Sequence, residues 1–330
     1  MKLGILTNIA CDMPLGDALK YFKGVGMEVV EIGCGGTPGT SHCDPEVLLS
    51  DEKAFEGFKG TLAKYEMGVS AFSCHGNPVH PDRGIAGRYD SVMRNAVLMA
   101  EKMGVDTICC FSGCPGSDEN SKYPNWCTTV WPFDAVKTLK WQWEKKLIPY
   151  WESFVAFARE HNVTKIAIEM HPGFSVYNPE TLLRLREACG PEIGANFDPS
   201  HLIWQGIDVP MAIRKLKGCI YHFHAKDTYV DPVEMGTNGF FDPSGKFSPF
   251  SFRIPGSGTG ERHWKDIMAA LIQAGYNGAI SIEHEDYSMD KNEGIRKSAA
   301  FLSSILISES VSDHSWREPI RAYQRTFLPK

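Results

Sequence analysis

Three features of this chain point to an α/β fold, a single (β/α)8 barrel with a C-terminal extension. Short β-rich apolar runs recur eight times, with helical segments between them. Strands alternating with helices imply a parallel sheet, and eight such units are what a closed barrel needs. The chain has 330 residues, enough for a barrel of ~250 residues with long loops and a tail, and no composition break or low-complexity linker divides it. An open, doubly wound sheet is the competing arrangement.

In order, the predicted strands are Leu3–Thr7, Glu28–Ile32, Val69–Ser73, Thr107–Phe111, Lys165–Met170, Ile193–Phe197, Cys219–His224 and Ala279–Glu283. The predicted helices start with Pro14–Gly24, which opens on a proline at a first helical position, and Asp44–Tyr65, which opens on an Asp-Pro cap. Ile85–Met103 and Phe133–His161 are each long enough for several turns. "NPETLLRLREACG" has an asparagine cap, leucines at helical spacing and a stop at Gly190. Val209–Leu216, Trp264–Ala274 and Lys291–Ile307 complete the set. Residues 112–132 and 228–262 read as irregular loops after strands, the place where barrel active sites are built. The barrel is expected over 1–308 and a tail over 309–330. The tail mixes Trp316, Tyr323 and Phe327 with Arg317, Arg321 and Arg325, a composition that suits a subunit contact or packing back across the barrel.

Composition narrows the function. Lys and Arg total 34 against 40 Asp and Glu, a net charge of −6, which argues against a broad nucleic-acid or anionic-membrane surface. No apolar run approaches the ~20 residues of a membrane span, and the start has no signal-peptide pattern. Ten cysteines without a C-x-x-C pair fit a reduced, cytoplasmic protein with scattered thiols and no evident thiol chemistry.

The candidate chemistry sits where the last four strands end. "KIAIEMH" carries Glu169, "GANFDPSHL" Asp198, "CIYHFHAKD" His224 and "AISIEHED" Glu283. The carboxyl ends of consecutive barrel strands share one mouth. Three carboxylates gathered there repel one another, and a divalent cation removes the repulsion. Three oxygen donors and one imidazole suit Mn²⁺, and also Mg²⁺, Co²⁺ or Zn²⁺. Taken singly, each acid also reads as a cap and the histidine as hydrogen-bonded core. His201, one helical turn past Asp198, is a candidate contact to substrate. His222 is a candidate support deeper in the barrel, and His171 a candidate at the mouth, with packing roles equally open. "SCHGNPVHP" brings His75 and His80 towards the same mouth. Trp126, Trp131 and Trp204 are candidates to stack on a sugar or an aromatic group, at least one of them being plain packing. "PGSGTGERHW" reads as a loop over the mouth or, less specifically, a phosphate cradle, with Arg253 before it as a candidate oxyanion contact.

With "NFDPSHL", "HAKD" and "SIEHED", the chain resembles the xylose isomerase-like sugar isomerase/epimerase superfamily, over about residues 1–307. That resemblance implies Glu169, Asp198, His224 and Glu283 as metal ligands and Glu169 and Glu283 as the acid/base pair. It also implies His201 and Arg253 as polar substrate contacts, beside candidates His75, His171 and Trp204. "EIGCGGTPGTSHC", "SCHGNPVHP", "FSGCPG", "PNWCTTVWP" and "WQW" resemble, more narrowly, the catalytic subunit of bacterial C-glycoside deglycosidases. This implies a 3-oxo-glycoside substrate, a small β-rich partner subunit and a higher oligomer. The expected chemistry is metal-assisted removal of a proton next to a ketone, followed by elimination; the alternative is isomerisation or epimerisation of a keto-sugar or sugar phosphate. A non-catalytic sugar-binding subunit has no need of the four-residue set.

Overall fold

In a computed structural model, residues 1–241, 248–307 and 326 are described. Among the described residues are ten strands: β1 Lys2–Leu6, β2 Val29–Gly33, β3 Gly68–Ser73, β4 Thr107–Phe111, β5 Lys165–Glu169, β6 Ile193–Phe197, β7 Ile220–Ala225, β8 Asp227–Val230, β9 Phe250–Arg253 and β10 Ala279–Ile282. Eight of them, β1 to β7 and β10, close into an all-parallel barrel in which β1 pairs with both β2 and β10. Closure excludes the open sheet. Each predicted strand matches a barrel strand to within a residue at either end.

Helical segments wind back along the outside, and their local signals explain where they start and stop. Asn178 caps helix 179–189 through a reciprocal capping box with Thr181. Helix 83–103 stops at Gly104, which adopts φ +67°, a left-handed conformation that glycine enters without strain. Two expected helices differ. The 44–65 segment is two helices, Pro45–Ser50 and Glu52–Lys64, because Asp51 turns extended and caps the second through the Ala54 amide. The 133–161 segment runs as Asp134–Trp141 and Ile148–Glu160 joined by a wider turn over 142–147, which ends two residues before Pro149. The described part of 228–262 is more ordered than a loop: β8 and β9 pair as an antiparallel ribbon, with a helix at Pro232–Asn238. The tail positions Trp316, Tyr323, Phe327, Arg317, Arg321 and Arg325 lie outside the described residues.

The apolar core lies between the barrel's outer face and the helices, with Phe22, Trp151, Phe154, Phe197 and Trp264 all fully buried. The barrel interior is layered. At its base Ala71, Cys109 and Ala167 pack with Tyr221. Gly194 makes room there, since a Cβ on it would stand 2.3 Å from the Tyr221 ring. One layer up the interior turns polar: Glu31, Ser73, Asn196, His222 and Ser281 are all buried. Alternation along the strands lifts the next inward residues, Glu169, Asp198, His224 and Glu283, to the mouth.

Candidate metal centre

Four strands deliver four donors to one point. One ligand atom each from Glu169, Asp198, His224 and Glu283 lies within 4.8 Å of the others, a set that could hold a metal ion. Glu169 closes β5, Asp198 directly follows β6, His224 lies on β7 and Glu283 directly follows β10. The Nδ1 atom of His224 is 3.3 Å from Glu169 and 3.1 Å from Glu283, so both carboxylates converge on one imidazole nitrogen.

Asp198 is both a cap and a site residue, one oxygen for each. Its Oδ1 accepts from the Ser200 amide at 2.8 Å and caps the short helix Pro199–Ile203. Its Oδ2 is fully buried and receives no hydrogen bond. Such an atom is costly unless a cation reaches it; the Lys226 ammonium stands 3.0 Å away, and an ion held among the four donors would meet the same need. Burial pushes the Asp198 carboxyl up to about 6; Lys226 and His224 oppose the shift, and Glu169 and Glu283 add to it. For Glu169 and Glu283 burial opposes the charge too, but imidazoles around the first, and Lys226 with His224 beside the second, hold them below the ordinary carboxylate range.

Lys226 was not legible as a site residue, although "HAKD" contains it. It is 2% exposed, with Nζ 2.7 Å from Glu283, 3.0 Å from Asp198 Oδ2 and 2.9 Å from Glu285. Burial works against its charge; Asp198, Glu283 and Glu285 outweigh that and hold its pKa well above the ordinary lysine value. The signal was periodicity, since His222, His224 and Lys226 follow one another at strand spacing. Asn196 was missed in the same way: two residues before Asp198, it donates to Glu169 at 3.2 Å.

Above the donors opens a cavity of about 220 Å³, lined by His75, His171, His201, Phe111 and Phe174 together with Lys226, Glu169 and Glu283. His75 Nε2 is 3.1 Å from Glu169. His201 Nε2 also lies 3.1 Å from Glu169, without hydrogen-bond geometry, and neither ring nitrogen of this buried histidine has a hydrogen-bond partner. His171 packs 4.0 Å from the His201 ring, and burial lowers its pKa to about 4, with His201 adding to the shift. Phe111 and Phe174 stack at 4.2 Å and form an apolar wall.

Other candidates fall elsewhere. Trp204 is buried in a stack on Phe250 at 4.5 Å and does not line the cavity. Arg253 pairs with Asp286 at 3.3 Å and is also absent from the lining. His80 accepts from the Asp82 amide and faces a separate surface depression. Trp131 is exposed and packs edge-on against Phe133, whereas Trp126 packs against Tyr177 and Phe241. The glycine-rich segment is an irregular stretch pinned from inside, not an open phosphate cradle. The amides of Gly256, Gly258 and Thr259 already donate to the buried carboxylate of Asp227, at 3.0, 3.0 and 3.1 Å. The internal carboxylate takes the place an anion would occupy. Among the described residues no cysteine lines the cavity, and burial pushes Cys74 and Cys114 up to about 12.

A closed parallel barrel with a polar centre at the carboxyl mouth of its strands is the architecture of barrel enzymes. The profile of the family described as "Xylose isomerase-like TIM barrel" matches residues 19–305, and the chain belongs to that family. "Uncharacterized protein YfiH" of Bacillus subtilis (strain 168) is 34% identical over 312 residues, covering 93% of this chain and 99% of that protein. An inosose dehydratase of Clostridium tetani is 27% identical over 129 residues, 39% of this chain and 42% of its own. Among solved structures, the IolI protein with a bound zinc atom superposes with a TM-score of 0.65 at 16% identity, covering 94% of this chain and all of that one. The probable 3-DHS dehydratase AsbF of Bacillus anthracis gives 0.64 at 15%, covering 92% and 99%. At such identities the structural likeness establishes the fold alone. Among the described residues no helix is long and apolar enough to cross a membrane.

Proposed function

We propose that this chain is a cytoplasmic, divalent-metal-dependent enzyme that removes a proton beside the carbonyl of a keto-sugar and then breaks the bond β to that carbonyl. The reading extends to its substrate and setting: a 3-oxo-glycoside, carbon- or oxygen-linked, cleaved by the catalytic subunit of a C-glycoside deglycosidase. The observation that carries it is the pair Glu169 and Glu283, which meet at one nitrogen of His224 on the floor of the cavity. Glu169, Asp198, His224 and Glu283 would hold the ion, Mn²⁺ by preference, with Mg²⁺, Co²⁺ and Zn²⁺ also compatible with the donor set. When bound, such an ion supplies a Lewis acid that polarises the carbonyl and acidifies the neighbouring C–H.

The chain's own residues supply the rest. One of the two glutamates takes the proton from C2 of a 3-oxo-glycoside, and the electron pair of that C–H becomes the C1=C2 bond. The bond from C1 to the aglycone breaks with its electron pair, and the aglycone leaves with a proton. Reprotonation of the same carbon needs only the two carboxylates; expelling a leaving group calls for a further proton carrier. His201, with both ring nitrogens unpartnered, lines the cavity beside Glu169 and suits that task. Lys226 lines it too, as a buried positive charge for oxygens that gain negative charge. Two of the compared proteins are dehydratases by name, and dehydration is itself an elimination. The same two carboxylates also support the second reading, epimerisation or isomerisation of a keto-sugar or sugar phosphate.

The test is product analysis in deuterium oxide with metal-loaded protein, using phenolic 3-oxo-glycosides and a free ketohexose. Release of the phenol, reduced by ~10²–10⁴ in both Glu169→Gln and Glu283→Gln, is the expected result. Deuterium entering the ketohexose without phenol release moves the assignment to epimerisation. Full turnover in both variants overturns the two-carboxylate mechanism. We also propose a small β-rich partner subunit in a higher oligomer. Its support is the exposed aromatic surface of the loops after the strands, with Trp131, Phe133 and Phe241 at 67, 73 and 61% exposure. Co-expression with a small β-rich protein encoded beside this gene should give a heteromer by light scattering; a fully active monomer without a partner refutes it.

A further inference from the structure

Beneath the four donors lies a buried carboxylate to which the sequence drew no attention. Glu31 is on β2, opposite β7 across the barrel interior, and is 0% exposed. Its Oε1 and Oε2 stand 3.0 and 2.9 Å from His224 Nε2. Ser281 donates to Oε2 at 2.8 Å and Ser73 donates to Oε1, so strands on either side hold the carboxylate in place. A shift in the pairing of β2 with β3 between Val30 and Glu31 sets the register there.

We propose that Glu31 is the positioning residue of the metal centre: it holds the Nε2–H of His224 and so presents Nδ1 as the metal donor. This inference rests on the reading that the four-residue set takes a metal. A ligating imidazole must offer a lone pair on one nitrogen and can carry its hydrogen only on the other. Nε2 faces the two oxygens of Glu31, which can only accept; the Asn196 side-chain amide stands near both ring nitrogens, 3.1 Å from Nε2 and 3.3 Å from Nδ1, and so does not tell them apart. Nδ1 is the nitrogen on which Glu169 and Glu283 converge, at 3.3 and 3.1 Å. The two faces of the ring therefore have different tasks, and the carboxylate below makes the upper nitrogen a better donor. A buried carboxylate is otherwise a costly thing to place inside a strand whose other residues are all uncharged and buried.

Zinc(II) alone is the probe. Isothermal titration compares the wild-type chain with Glu31→Gln, which keeps the volume and removes the charge, and with His224→Ala. The expected result is a zinc affinity ~10–100-fold weaker in Glu31→Gln, the usual effect of losing such an outer partner, with unchanged circular dichroism. Nitrogen-15 NMR of histidine-labelled, zinc-loaded wild-type protein, with His224 assigned through His224→Ala, should show zinc on Nδ1 and hydrogen on Nε2. Wild-type affinity in a folded Glu31→Gln variant, or zinc on Nε2 of His224, overturns the inference and leaves the metal reading intact. If wild-type protein binds zinc no better than His224→Ala does, the metal reading itself fails and the inference falls with it. Should Glu31→Gln not fold, the wild-type spectrum still decides.

Discussion

Replacing Asp227 by asparagine probes the glycine-rich segment that reads, as sequence, like a mouth loop or an anion cradle. The carboxylate accepts from six groups: the amides of Thr228 at 2.8 Å, Gly256 and Gly258 at 3.0 Å and Thr259 at 3.1 Å, the Thr259 hydroxyl at 3.0 Å and Trp264 Nε1 at 2.9 Å. The least costly asparagine puts its NH2 where Oδ1 stands. The Thr259 hydroxyl then turns to accept, Thr259 N–H keeps the remaining oxygen, and the Thr228 amide faces a donor. One orphaned buried donor costs about 1–3 kcal/mol. Loss of charge also weakens the bonds that survive, and together these bring the expected destabilisation to about 3–5 kcal/mol. That is a large part of the 5–15 kcal/mol by which a typical domain is stable. Reversible urea unfolding, followed by tryptophan fluorescence and circular dichroism, measures it. A loss below about 1 kcal/mol, less than a single orphaned buried donor costs, would refute the claim that Asp227 organises this segment. So would inorganic phosphate raising the midpoint of the wild-type protein by filling the same amides.

The remaining predictions concern protons and the metal. Elemental analysis of metal-loaded protein should find about one divalent ion per chain, lost in His224→Ala, because four donors build a single site; wild-type metal content in both His224→Ala and Asp198→Ala would sink the assignment. In the metal-free protein His224 keeps its proton well above the ordinary histidine value: burial opposes the charge, but Glu31 and Glu283 outweigh it. A metal must displace that proton, so apparent affinity should rise with pH through neutrality, and more steeply below the value of about 6 to which burial lifts Asp198. Titrations in buffers of different ionisation enthalpy should register the released proton, and affinity that does not change with pH would contradict the coupling.

Much of the site was legible because its signals are local. Asp198 announces itself as the end of an apolar run and the start of a helix, and it does both jobs with separate oxygens. His201 was placed by helical spacing and His171 by strand spacing, and both line the cavity. Trp204 and Arg253 lie away from the cavity for one reason: spacing says which face of an element a side chain leaves, but not what another segment lays over it. The β8–β9 ribbon covers Trp204 with Phe250, and Asp286 captures Arg253.

By itself the sequence determined the eight strands, their order and the four candidate donors at their carboxyl ends, because period-two and period-3.6 patterns and strand-end positions are properties of neighbouring residues. Only closure of the barrel decided what those donors rest on. Glu31 and His224 are 193 positions apart, and Glu31 meets Ser281 across 250, so neither contact leaves a trace in any window of sequence. Burial then fixed their chemistry. Glu31, Asp198 and Lys226 carry ordinary groups, and the charge each bears depends on how much water the fold removes and which opposite charges it brings within reach.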